Sequence, residues 1–305
     1  AVFPARDYVL HPIEGTAREY EYRRLAVLGD LVGGRLQAVC VPDEGLTQYT
    51  TPRAEFCNNT RTLHPGDTVP RTELTALLYN AGYARRAQVD GPGQFSIRGD
   101  IVDLYAPDMK LPVRMEFWGD EIDTMHTFDL ATQRREDPIE KIYVSPAREV
   151  LFGSPAEAAE LLRAFIKKFR GKKRTALEAC LATELAQLDG GALPVNMDKY
   201  LAVRYPQPAT LLDYFDDPLL VLEEPASLRE AERATTYRRG EEISALLQDG
   251  VLAAGLDNLY AENGYLWAQA ANHRTICAEN FARSMPDIPL KDIVNAPAHT
   301  LPAWG

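Results

Sequence analysis

The chain has 305 residues, 46% hydrophobic and 25% charged, with 33 Lys and Arg against 44 Asp and Glu for a formal charge of -11. That supplies two or three packed cores; no apolar run approaches the roughly 20 residues of a spanning helix and no charged-then-apolar leader is seen, so no membrane partner and a cytoplasmic location are expected. The acidic balance favours protein partners over a DNA groove, because duplex binding draws its sequence-independent affinity from Lys and Arg on phosphates.

AVFPARDYVL opens like the tail of a strand, and LPAWG follows a Pro-flanked apolar segment at the other end; together they suggest an excised piece of a longer polypeptide. Thr16-Ala17-Arg18-Glu19 fits a capping box, and Leu25, Leu28 and Val32 keep helical spacing to Gly33-Gly34, which predicts a helix over 16–32. RLQAVCV predicts a buried strand over 36–41 and DEGLTQ a short helix, an order that suggests part of an α/β layer with a parallel sheet. The turn-rich stretch over 50–70 marks a boundary, sharpest at Pro65-Gly66-Asp67. A helix over 72–81 follows, with Leu74, Leu77, Leu78 and Ala81 on one face and Gly82 as its cap. Asp90-Gly91-Pro92-Gly93 predicts a tight turn between Gln88-Val89 and the strand of Phe95.

Residues 93–128 alternate apolar and polar side chains as three or four antiparallel strands would. Phe95 and Ile97 share one face of the first strand, and Gln94, Ser96 and Arg98 the other. Val113, Met115 and Phe117 make the buried face of a later strand, which leaves Arg114, Glu116 and Trp118 opposite. An aromatic beside two arginines on a polar face is what protein interfaces prefer. A plainer alternative is that Trp118 ends its strand under a loop while Arg98 and Arg114 pair with Asp100, Glu116 or Asp120.

The ordered blocks GQFSIRGDIVDLY, PVRMEFWGDEID, FDLATQRR and VSPAREVLF resemble the domain that the excision-repair protein UvrB shares with transcription-repair coupling factors (Mfd), known as the docking site for UvrA. The resemblance places the family's two docking arginines on Arg98 and Arg114 and its aromatic on Trp118, where the family usually has Phe. It also implies the fold class: α/β and α+β, with degenerate helicase-like parallel-sheet subdomains and an inserted small α+β docking domain. The expected divisions are 1–66, 67–150 and 151–305, the last residues returning to the first unit.

Ser154-Pro155-Ala156-Glu157 predicts another capped helix, with Leu161, Leu162, Phe165 and Phe169 inward. The one compact basic run, Lys167 to Arg174, is read as a helix end and loop that suit the negative end of the helix dipole, before a second helix over 174–187. LPVNMDKYLAVRYPQPATLLDYFDDPLLVLEEP resembles coupling factors and not UvrB. It contains a strand over 219–222, ended by Glu223-Glu224, where helicases carry their magnesium-holding Asp-Glu. A long helix over 227–247 and a mixed segment with Trp267 in the core complete the chain.

Catalytic patterns are missing. No GxxxxGK[ST] phosphate loop occurs, and Pro225 directly follows the paired glutamates. Cys40, Cys57, Cys180 and Cys277 form no CxxC pair, and His11, His64, His126, His273 and His299 show no HExxH, so no metal site is expected. Asp120-Glu121 and Asp137 could be drawn as an acid pair but are read as turn residues, and no GxSxG elbow is present. FPARDYVLHPIEG runs almost directly into the first helix, without the long aromatic hairpin with which UvrB clamps DNA. The resemblance therefore implies a UvrA-recruiting module with no catalytic residue and no cofactor, whose family reaches RNA polymerase and DNA through other domains. The alternative is a UvrB-type DNA-binding ATPase fragment.

Overall fold

The computed structural model describes residues 1–11, 18–279 and 294. In chain order its elements are α1 (Glu19–Val32), α2 (Asp43–Thr47), α3 (Arg53–Asn58), β1 (Arg61–Leu63), α4 (Arg71–Asn80), β2 (Ala84–Arg85), β3 (Gln94–Arg98) and β4 (Ile101–Tyr105). Then come β5 (Val113–Trp118), β6 (Glu121–Phe128), β7 (Arg135–Pro138), β8 (Ile142–Val144), α5 (Pro155–Lys167), α6 (Gly171–Cys180) and α7 (Ala182–Asp189). The chain continues through α8 (Leu201–Arg204), β9 (Leu219–Glu223), α9 (Pro225–Gln248), α10 (Tyr265–Asn272) and β10 (Arg274–Ala278), with short 3-10 turns at Met197–Tyr200 and Leu211–Tyr214. The mixture of helices, an antiparallel sheet and a small parallel one matches the expected α/β and α+β class.

Three apolar cores hold these elements. The first packs Leu74 and Leu78 of α4 on the inner face of a six-stranded sheet of order β2-β3-β4-β5-β6-β7, through Phe95, Val102, Leu104, Val113, Met115 and Phe117. The side-chain parity expected for β5 holds, with alternate residues buried from Val113 to Phe117. Two hairpins of this sheet turn on Gly99-Asp100 and Gly119-Asp120, where Gly99 and Gly119 have φ of 60° and 63°. Glycine at the first turn position supplies that left-handed backbone without steric penalty. The second core is helical, built from Ala158, Leu162, Ile166, Leu177, Leu188, Tyr200, Leu246 and Leu256. The third unites both ends of the described chain: Phe3, Leu25, Leu28 and Phe56 pack with Leu211, Tyr214, Leu222 and Leu266.

Several local expectations are corrected. The first helix begins at Glu19 behind an Arg18 N-cap whose side chain makes no capping bond, and the expected cap residue Thr16 lies outside the described residues. The stretch 36–41 is no buried strand: Cys40 alone bridges Val2, in parallel, and Leu36, Val39 and Val41 are half-buried. Gln37, Ala38 and Cys40 are exposed, so the stretch offers no continuous apolar face for a sheet to cover. Asp90 to Gly93 does turn just before β3, at Pro92-Gly93, but the strand ahead of it is β2 at Ala84–Arg85 and not Gln88-Val89, and it runs parallel to β3. Residues 86–93 carry the chain back so that the two-residue β2 lies alongside β3 in parallel. The helix expected over 174–187 is two helices, α6 and α7, broken at Leu181, whose side chain is fully buried in the helical core. α6 starts at Gly171, so Lys172, Lys173 and Arg174 are helical and not in a loop.

Candidate functional site

The outer face of the six-stranded sheet gathers the residues that the sequence singled out. In the β3–β4 register Ser96 faces Asp103, and in the β4–β5 register Asp103 faces Arg114. Asp103 thus sits mid-sheet with an arginine on each side, Arg114 directly across and Arg98 on the diagonal. Its carboxylate is fully buried and accepts from Arg98 Nη2 at 2.6 Å, from Arg114 Nε at 2.6 Å and from Arg114 Nη2 at 2.9 Å. Two cations share one anion, so the trio keeps a net positive charge.

The two arginines are not equivalent. The Arg114 side chain is 12% exposed; its remaining N–H groups donate to the Gln133 carbonyl at 3.2 Å and to Gln133 Oε1 at 3.3 Å, and its guanidinium lies 4.6 Å from the centre of the Phe128 ring. The hydrogen bond to Asp103 holds its pKa above the ordinary arginine value although partial burial opposes this. The Arg98 side chain is 46% exposed and one bond to Asp103 orients it, which leaves donors free to face outward. Gln133 itself adopts a left-handed φ of 59°, on the loop that brings its amide over Arg114.

Trp118 ends β5 opposite Glu121 and is 84% exposed. No loop covers it. A register shift after Glu116 bends the β5–β6 ladder just before it, and the hairpin is braced from beneath by Val69 N–H to the Asp120 carbonyl and Ile122 N–H to the Asp67 carbonyl. The plainer alternative also misassigned the partners: Asp100 pairs with Arg71 and Glu116 with Arg135. Asp103 and Gln133 were not singled out from the sequence. The signal for Asp103 was a charged residue in the middle of IVDLY, on the outward parity, which needed only the strand register to meet both arginines.

The unit that carries the six-stranded sheet is rooted in buried charge. Glu149, fully buried where the chain leaves it, accepts from Arg24 Nε at 2.7 Å and lies 3.2 Å from Arg6 Nε. Arg6 also donates to Asp198 at 2.7 Å, and the Glu149 N–H donates to Glu21 at 3.0 Å. Burial alone would raise the pKa of Glu21; Arg6, Arg148, Arg18 and that N–H overcome it and bring the carboxyl down to about 2. A cavity of about 780 Å³ opens nearby, between Tyr79 and Tyr83 on one side and Phe152, Leu193 and Met197 on the other. Arg98, Arg114 and Trp118 take no part in it; their face is open, as suits a macromolecular partner.

The other chemical candidates fall apart. Glu223 is exposed at the end of β9, while Glu224 has a left-handed φ of 48° and donates its N–H to the Ala278 carbonyl. Glu121 and Asp137 lie in strands β6 and β7 and only Asp120 is on a turn, so the turn reading of all three is corrected. Among the described residues no group of three His, Cys, Asp or Glu is placed to hold a metal ion, and no helix is long and apolar enough to cross a membrane. Trp267, expected in the core, is half-buried, with its indole N–H donated to Glu232 and Arg229 stacked on its ring.

The chain is 28% identical over 257 residues to the transcription-repair-coupling factor of Bacillus subtilis strain 168, covering 82% of this chain and 22% of that protein. It is 28% identical over 259 residues to the factor of Staphylococcus haemolyticus and 27% to that of Staphylococcus aureus strain MRSA252, with 81% of this chain and 22% of theirs covered in each case. The chain therefore spans about a fifth of the length of these relatives. Residues 62–150 match the family described as the UvrB interaction domain. Residues 62–150 are thus similar to the UvrB interaction domain, within a chain that resembles the corresponding part of transcription-repair coupling factors over four fifths of its length.

Proposed function

We propose that the outer face of the sheet docks UvrA, and that this chain is the recruiting module of a transcription-repair coupling factor in nucleotide excision repair. The observation that carries the reading is Trp118, an aromatic left 84% exposed at a braced hairpin end on the same sheet face as the half-exposed Arg98. A tryptophan covered by a partner removes a large apolar area from water, and an outward guanidinium meets a carboxylate through charge-assisted bonds. Arg114 acts from behind: held by Asp103, Gln133 and Phe128, it fixes Asp103, which in turn aims Arg98. The chain hydrolyses no nucleotide on this reading, which rests on the missing phosphate loop. RNA polymerase and an ATP-driven motor on DNA belong to other parts of the full-length protein.

The test is a calorimetric titration of the chain with purified UvrA. Trp118→Ala and Arg98→Ala should each weaken binding by roughly 1 to 4 kcal/mol, the range of interface hot spots, with circular dichroism and thermal stability unchanged. Unaltered affinity in both variants would sink the assignment. DNA-stimulated ATP turnover by the chain would move the reading to a UvrB-type ATPase fragment.

A further inference from the structure

The basic run from Lys167 to Arg174 has no part in the docking face. Helix-dipole stabilisation accounts for only its beginning: Lys167 lies in the last turn of α5, and Lys168 is its C-cap. Lys172, Lys173 and Arg174 stand instead in the first turn of α6, where aligned peptide dipoles leave partial positive charge. That turn contains no acidic residue, and the Arg170 N-cap makes no side-chain bond to the first N–H groups. α5 shows the usual arrangement by contrast, with Ser154 accepting from the Glu157 N–H and an acid in the first turn.

All six cations, Lys167, Lys168, Arg170, Lys172, Lys173 and Arg174, are exposed. Among the ion pairs of the described residues only Arg174 finds a carboxylate, Glu178 at 2.8 Å. Lys168 rests its ammonium near the Phe165 ring, 5.9 Å from the centroid. In a chain of charge -11, carboxylates to neutralise these groups were available and are not placed there. The cluster repels itself and the end of α6, and an external polyanion relieves both strains.

We propose that this patch, spanning the end of α5 and the start of α6, binds the phosphate backbone of duplex DNA without reading its sequence. Four of the six cations are lysines. Lysine is a flexible point charge suited to a row of phosphates, whereas arginine's planar fork suits fixed carboxylates. The uncapped N–H groups of α6 add donors for a phosphate oxygen. Duplex is favoured over single strand because the local aromatics face inward: Phe165 and Phe169 are half-buried, edge to face at 5.1 Å, and packed on the helical core, so they offer no platform for unpaired bases. No Asn or Gln stands within the run to read base edges.

The experiment is fluorescence anisotropy of the whole chain with a labelled duplex of about 30 base pairs, from about 50 to about 200 mM salt, a range that resolves counterion release. With three to five phosphates neutralised, log K should fall against log salt with a slope of about -3 to -4.5. The variant Lys172→Gln, Lys173→Gln, Arg174→Gln should lose about tenfold or more in affinity at the lower salt and flatten the slope by about 2 to 3. Unchanged circular dichroism and melting temperature verify its fold. Should that variant fail to fold, Lys167→Gln with Lys168→Gln, at the other side of the patch, should flatten the slope by about 2. Equal duplex affinity in the folded variants overturns the proposal. So does tighter binding of single-stranded DNA or of RNA of the same length, or equal competition by a polyglutamate peptide of matched charge.

Discussion

Replacing Asp103 by Asn tests how the outer face of the sheet is built, because Asp103 is fully buried beneath it. The substitution keeps the shape and one acceptor oxygen but removes the charge that three guanidinium N–H groups share. Hydrogen bonds to charged groups contribute about 1.5 to 3 kcal/mol each. Arg98 recovers part of its loss from water, since its side chain is 46% exposed, whereas Arg114 at 12% recovers little. The net cost is therefore about 2 to 4 kcal/mol, below the sum of the bonds and near the lower edge of the effect of breaking a buried ion pair. Hydrogen exchange read by mass spectrometry on peptides from β3 to β5 reports the opening free energy of this sheet and should fall by that amount, while peptides from α5 to α7 keep their protection. UvrA affinity should fall as well, because Arg98 loses the bond that aims it. Arg98→Ala should show the opposite pattern, with binding lost and sheet protection nearly intact. Unchanged protection in Asp103→Asn, or full UvrA affinity in it, would refute the claim that a buried carboxylate organises the face.

Other consequences follow from the same structure. Glu21 has its folded pKa depressed from 4.5 to about 2, so its stabilising contribution is fully present above pH 4.5 and is lost as pH falls towards 2. A shift of this size amounts to roughly 3 kcal/mol; urea midpoints measured between pH 7 and pH 3 should drop in the native chain and drop less in Glu21→Gln. Gly82→Ala combines a φ of 84° with a new Cβ only 2.7 Å from Arg148 Cγ. The left-handed backbone alone costs about 1 to 2 kcal/mol, so a clear fall in melting temperature is expected by scanning calorimetry. Ser154→Ala removes the cap accepting from the Glu157 N–H at 3.1 Å and should cost about 1 kcal/mol. That loss should appear as faster exchange in the first turn of α5 and leave the sheet untouched.

Legibility in the sequence depended on how local the cause was. The alternation Val113, Met115, Phe117 against Arg114, Glu116, Trp118 reports its own faces, because strand parity needs no knowledge of any neighbour. The cap at Ser154, the glycine after α4 and the long helix before Gly250 were readable for the same reason, since each is a contact within one turn. Strand 36–41 and the strand expected at Gln88-Val89 were misread because both depend on which strand lies alongside, and an apolar run does not name its partner. α6 and α7 were merged because the break at Leu181 follows from burial in the helical core, which helix propensity does not carry.

The amino-acid order by itself determined the two-faced strands, the aromatic beside two arginines, and the missing phosphate loop. Each is a property of spacing or of residue type. Tertiary structure alone decided that Asp103 joins both arginines, that Arg114 serves as an anchor while Arg98 and Trp118 face outward, and that half of a basic run crowds the wrong end of a helix. Those facts depend on strand register, burial and helix boundaries, which arise only when distant segments pack and exclude water from one side of each side chain. Trp118 shows the division most plainly: its place on the polar parity was written locally, but that nothing covers it had to be seen in three dimensions.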